Sequence, residues 1–124
     1  MHLTLAELLY MHSRLLERYG GCPGIRDRGL LESALARPKS GYYTTLSQQA
    51  AALMQSLALN HAFADANKRM AFTACATFLR VNGFRLVASA DEAERFIVEA
   101  LIGARTSLQE VTQWIEAHMQ ALPG

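Results

Sequence analysis

The sequence has almost no net charge, few cysteines and no hydrophobic run long enough to cross a bilayer. Twelve basic residues against eleven acidic ones leave +1 at pH 7. No global field therefore draws the chain to nucleic acid or an anionic membrane, and neither is expected as a direct partner. Two cysteines, Cys22 in a Gly/Pro-rich loop and Cys75 inside an apolar segment, fall short of the disulfide framework of a small secreted scaffold. Free thiols in a reducing compartment are expected instead. The apolar stretches are shorter than the ~20 residues of a membrane span. The N-terminus is amphipathic, with His12, Arg14, Glu17 and Arg18 where a targeting signal would place a basic start and an apolar block. A soluble cytoplasmic protein is the reading. Also missing are a His-Glu-x-x-His motif, a paired-cysteine zinc signature and a second spaced His/Asp/Glu cluster, which argues against a metal-dependent hydrolase built on His61 and Asp65.

What is present is a chain of 124 residues with 51% hydrophobic content, enough to bury a core in a single domain spanning 1–124. Helix signals recur along it. Thr4 with Glu7, Thr45 with Gln48, Ser89 with Glu92 and Ser107 with Glu110 each have capping-box spacing. Leu5, Leu8, Leu9, Leu15, Leu16 and Tyr19 mark one face of a first helix that stops at Gly20-Gly21, with His12 on that apolar face as a hydrogen-bonded core residue. Gly20 to Gly29 is a loop exposing Arg26, Asp27 and Arg28, and a short helix from about Leu30 to Ala36 is closed by Pro38. Tyr42 and Tyr43 follow in a polar loop, where paired tyrosines either pack on their own domain or stack on a purine. Asn82-Gly83 stops a central helix, and Phe84 to Val87 alternates like a lone extended piece that cannot form a sheet. Ala93, Phe96, Ile97, Ala100 and Leu101 stripe a later helix, and the last one carries Leu108, Val111, Ile115, Met119 and Leu122 inward. About six helices and no repeat predict an all-α single compact bundle.

Chemistry concentrates in His61-Ala62-Phe63-Ala64-Asp65-Ala66-Asn67-Lys68-Arg69, a polar loop between two apolar helical segments. A helix beginning near Asn67 offers amide N–H groups without intrahelical partners, and its dipole acts together with Lys68 and Arg69 to attract anions such as phosphate. Asp65 is a hard oxygen donor of the kind magnesium uses alongside phosphate oxygens. His61 can take a proton from a hydroxyl near neutral pH, and Phe63 between two alanines reads as a buried peg anchoring the loop. Taken singly, each residue also has a plain reading: Asp65 or Asn67 as a helix cap, Lys68 and Arg69 as a solvated face, His61 as a satisfied residue at a helix end.

As an ordered set, His-x-Phe-x-Asp-Ala-Asn-Lys-Arg from His61 to Arg69 resembles the signature of the Fic/Doc superfamily, and its details resemble the Doc (death-on-curing) branch. The usual Fic signature has proline after the histidine and Gly-Asn-Gly before the arginine. Here Ala62, Ala66 and Lys68 stand in those places, as in Doc toxins. Arg18 to Asp27 and Phe78 to Gly83 extend the resemblance over most of the chain.

The resemblance implies an all-helical fold and a transferase that uses ATP and Mg²⁺, with His61 as base, Asp65 holding the metal, and Asn67, Lys68 and Arg69 holding phosphates. It makes Arg26 a candidate substrate contact. It further implies the toxin of a toxin–antitoxin pair, phosphorylating a threonine of elongation factor Tu and held in check by an antitoxin whose C-terminal segment folds into a groove. Lys68, where nucleotidyl-transferring Fic proteins usually have glycine, adds bulk and charge that favour a reversed nucleotide with its γ-phosphate at His61. Transfer of a nucleotidyl group and a non-catalytic interaction module are the alternatives. Ser13 to Glu17, Thr106 to Glu110 and Thr112 to Glu116 match the spacing of an internal Fic inhibitory motif but are followed by Arg18, Val111 and Ala117, which favours control by a separate antitoxin.

Overall fold

The computed structural model describes residues 1–124. Its elements in chain order are α1 (Leu5–Tyr19), α2 (Arg28–Ala36) running into a 3₁₀ turn (Arg37–Lys39), α3 (Leu46–Leu59), α4 (Asn67–Val81), β1 (Phe84–Leu86), α5 (Ala90–Arg95) continuing as a π-helical stretch (Phe96–Gly103), α6 (Leu108–His118) and β2 (Met119–Ala121). The predicted all-α bundle of six helices is present, and α3 is its axis. Ala50, Ala51, Ala52, Leu53, Met54, Leu57 and Ala58 of α3 are all buried. The run of alanines lets α4, its most extensive neighbour, and α6 lie close against it. Leucines such as Leu53 and Leu57 supply the driving force, at about 1.5–3 kcal/mol for each side chain fully removed from water.

The caps follow the sequence signals in most places. Thr4, Thr45 and Ser89 make complete capping boxes. Ser107 accepts the Glu110 amide at 3.2 Å without the reciprocal bond to its own backbone. Asp27, read as loop charge, is the N-cap of α2 and accepts the Leu30 amide at 3.2 Å. Pro38 lies inside the 3₁₀ turn that continues α2. Cys22 and Cys75 are free thiols, and burial pushes the Cys75 thiol up to about 12, which keeps it protonated and inert. Tyr43 packs on its own domain and accepts the Arg37 Nε–H at 2.8 Å, while Tyr42 stays exposed.

Three expectations are corrected. Phe84 to Leu86 is not a lone strand: it pairs antiparallel with Met119–Ala121, Phe84 opposite Ala121 and Leu86 opposite Met119. The last helix accordingly ends at His118, and Met119 belongs to β2 instead of the helix's buried stripe. Tyr19 does not face the core; it is 53% exposed at the end of α1. No helix is long and apolar enough to cross a membrane.

Candidate active site

The loop between α3 and α4 is shaped by its backbone before any side chain acts. His61 and Ala66 are two of only three non-glycine residues with positive φ, at 50° and 66°. Such left-handed conformations carry local strain that persists only where the surroundings impose it, and they gather at functional sites. Here the surroundings are a second loop. Arg26 and Asp27 donate their amides to the Ala62 carbonyl at 2.8 and 2.9 Å, and Ala64 donates to the Gly24 carbonyl at 3.1 Å. Ile25 and Phe63 thereby form an antiparallel bridge.

Side chains complete the mould. Phe63 is 1% exposed and stacks on the His12 ring with centroids 3.9 Å apart and planes 12° from parallel, so it is the buried peg its sequence neighbours suggested. His12 Nε2 lies 2.9 Å from the Asp65 carbonyl oxygen and donates to it. His12 is thus the hydrogen-bonded core residue expected, but its bond runs to the active loop, a role its place on an apolar face did not reveal. The Asn67 side chain is used on the loop itself: Nδ2 donates to the Phe63 carbonyl at 3.0 Å and Oδ1 accepts the Phe63 amide at 3.1 Å. Its amide side chain thus closes the loop, and its backbone N–H is left for an outside group.

Neither Asp65 nor Asn67 caps α4. The N-cap is Ala66, left-handed and without a capping side chain, and the first backbone bond into it is Met70 N–H to the Ala66 carbonyl at 2.9 Å. The amides of Asn67, Lys68 and Arg69 are therefore left without partners at the positive end of a 15-residue helix, the arrangement that binds anions. They open on a cavity of about 310 Å³ lined by His61, Asp65, Lys68, Arg69 and Glu94 among others. His61 is exposed and makes no hydrogen bond inside the protein. Lys68 and Arg69 are exposed and form no ion pair. Arg26 is also exposed and lies next to the bridge.

Asp65 is held by its neighbours. Its Oδ2 accepts the Cys22 amide at 3.1 Å and its Oδ1 the Ala66 amide at 2.8 Å. Those two bonds, with smaller help from Arg69 and His12, keep its carboxyl below the usual carboxylate value. A carboxyl with a lowered folded-state pKa lends stability at every pH above its unfolded value and loses it as pH falls through the lowered value. The Cys22 amide proton resonance should therefore titrate with a midpoint below that of the other surface carboxylates; a midpoint at the ordinary carboxylate value would mean that the amides do not hold Asp65. Each oxygen keeps a lone pair free. A carboxylate with lone pairs left over is a hard oxygen donor, of the kind that would fit a magnesium ion otherwise held by phosphate oxygens.

Gly21 makes this contact possible. With φ at +120°, a Cβ there would lie 2.7 Å from Asp65 Oδ2 and 3.1 Å from Leu16 Cδ2. Gly21→Ala is expected to lower stability by about 1–3 kcal/mol, read by chemical denaturation, and to loosen Asp65. An unchanged midpoint would show that the loop yields freely.

Residues 2–79 match the sequence model of the Fic/DOC family. Toxin Doc of Mycolicibacterium smegmatis is 49% identical over 78 residues, which cover 59% of this chain and 60% of that protein. Protein kinase doc of Escherichia phage P1 is 34% identical over 109 residues, covering 85% of this chain and 82% of that protein. The match thus spans less than two thirds of the mycobacterial relative and most of the phage one.

Proposed function

Since this chain belongs to the Fic/DOC family, on its Doc branch, we propose that it is the toxin of a type II toxin–antitoxin pair and acts as an ATP-dependent protein kinase. Its substrate in this reading is a threonine of elongation factor Tu, whose modification stops translation, and its partner is a cognate antitoxin with a C-terminal segment that folds into a groove on the toxin. The observation that carries the reading is the uncapped start of α4, whose three partnerless amides share one cavity with His61 and Asp65. The printed names of the two relatives, a Doc toxin and a Doc protein kinase, support it.

The division of labour follows from the residues. Phosphoryl transfer depends chiefly on positioning and on stabilising charge. The amides of Asn67, Lys68 and Arg69, with the Lys68 and Arg69 side chains, hold phosphate oxygens. Asp65 is the residue that would hold Mg²⁺, which when bound neutralises those oxygens further. His61 removes the proton from the attacking hydroxyl as the new P–O bond forms and the bond to the leaving ADP breaks. Lys68 in place of glycine brings the γ-phosphate, rather than the α-phosphate, to His61.

ATP labelled in turn at the α and γ phosphates, incubated with the protein, magnesium and a bacterial lysate, tests this. Label passing only from the γ position to a band identified as elongation factor Tu is the expected result. Label from the α position would replace the kinase by a nucleotidyl transferase. No transfer from either would bring the interaction module forward.

A further inference from the structure

Arg69 differs from an ordinary exposed arginine in what it touches. Its guanidinium carbon lies 4.6 Å from the centre of the Tyr19 ring, and Arg18 approaches the same ring at 5.6 Å. Arg69 makes no hydrogen bond and no ion pair with any residue, although Asp65 and Glu94 line the same cavity. A second cavity, of about 270 Å³, adjoins the first and shares Lys68, Arg69 and Glu94 with it, Tyr19 forming part of its wall. Arg69 thus stands where the two cavities meet, sharing the first with Asp65 and Glu94 and lying over the Tyr19 ring.

A guanidinium over a ring is attracted by the ring's negative face without using up a carboxylate-type hydrogen bond, so its N–H donors stay available. Pairing with Glu94 would do the opposite, since a bidentate carboxylate takes two of those donors and cancels the local positive charge. We infer that Tyr19 is a positioning residue which holds the Arg69 guanidinium over its ring, away from Glu94, with its donors free for a phosphate. The geometry stands on the contact itself; its consequence for nucleotide binding rests on the reading of Arg69 as a phosphate-holding residue.

Tyr19 is more than half exposed, so replacing it leaves the core untouched. Calorimetric titration of the full chain with ATP and magnesium should show Tyr19→Leu weakening binding about two- to fivefold, about 0.5–1 kcal/mol, while Tyr19→Phe keeps the parent affinity. In an Arg69→Gln background, Tyr19→Leu should have no further effect, and Glu94→Gln should restore part of the affinity lost in Tyr19→Leu. Parent affinity in Tyr19→Leu, an equal loss in Tyr19→Phe, or an undiminished loss in the Arg69→Gln background would each overturn the inference. An NMR readout is independent of nucleotide: the Arg69 side-chain protons should carry an upfield ring-current shift in the parent and lose it in Tyr19→Leu. A parent chain that binds no ATP would sink the kinase reading, and that shift would then decide for or against the hold on Arg69.

Discussion

His61→Ala should, in the proposed reaction, lower the rate of phosphoryl transfer by about 10²–10⁴-fold, the usual contribution of a positioned general base, with little change in stability. The second half follows from the structure. His61 is exposed and makes no hydrogen bond within the protein, and its replacement opens no cavity. Its φ of 50° is only modestly harder for alanine to adopt, so thermal denaturation should move by no more than a few degrees. Growth of cells expressing the variant gives the matching observation: a kinase loses its toxicity, whereas a module that merely grips a partner keeps it. Retained transfer in a folded variant would remove His61 from the chemistry and send the search for a base elsewhere in the cavity.

Phe63→Ala should act the other way round, through the fold. Its ring is 1% exposed and stacked on His12, and loss of a core phenylalanine costs about 3–5 kcal/mol. For a chain of this size the melting temperature should fall by about 10–20 °C. Activity should fall too, because the Phe63 backbone carries both bonds of the Asn67 side chain and the bridge to Ile25. The pair of variants separates chemistry from scaffold: one keeps the stability and loses the rate, the other loses both. A Phe63→Ala protein with parent stability would mean that the peg is not seated in the core as it is here.

Local signals were readable and long-range ones were not. Thr4, Thr45 and Ser89 announce their helices because a capping box is complete within four residues. The same holds for Asn82-Gly83, whose Gly83 turns at φ 91°. Met119 misled because helical spacing continues past His118, while the pairing that turns Met119 into strand lies with Leu86, far back in the chain. Tyr19 misled for a related reason: the apolar stripe of α1 drifts around the helix, and at its last turn the position faces Arg69. Asp27 was hidden among charged neighbours, although its spacing to Leu30 is that of an N-cap. In the site, residue types pointed to His61, Asp65, Lys68, Arg69 and Phe63. Of the partners that shape the loop, His12 meets it through its ring, and Gly21, Cys22 and Gly24 to Asp27 through backbone that leaves no periodic trace in a sequence.

The bridge between the two loops has a consequence for how the protein comes into being. Of the nine motif residues, His61 to Ala66 connect neighbouring helices and Asn67 to Arg69 open the second of them, so the α3–α4 hairpin can form early, from contacts close in sequence. Its loop is closed locally by Asn67 and completed only when residues some forty positions upstream dock on it. A fragment starting at residue 28 would carry every chemical group of the motif and none of its upstream partners: no Cys22 amide for Asp65 Oδ2, no ring beneath Phe63, no donor for the Ala62 carbonyl. Folding order thus separates possession of the motif from possession of its full shape, which the first helix and the loop after it supply together.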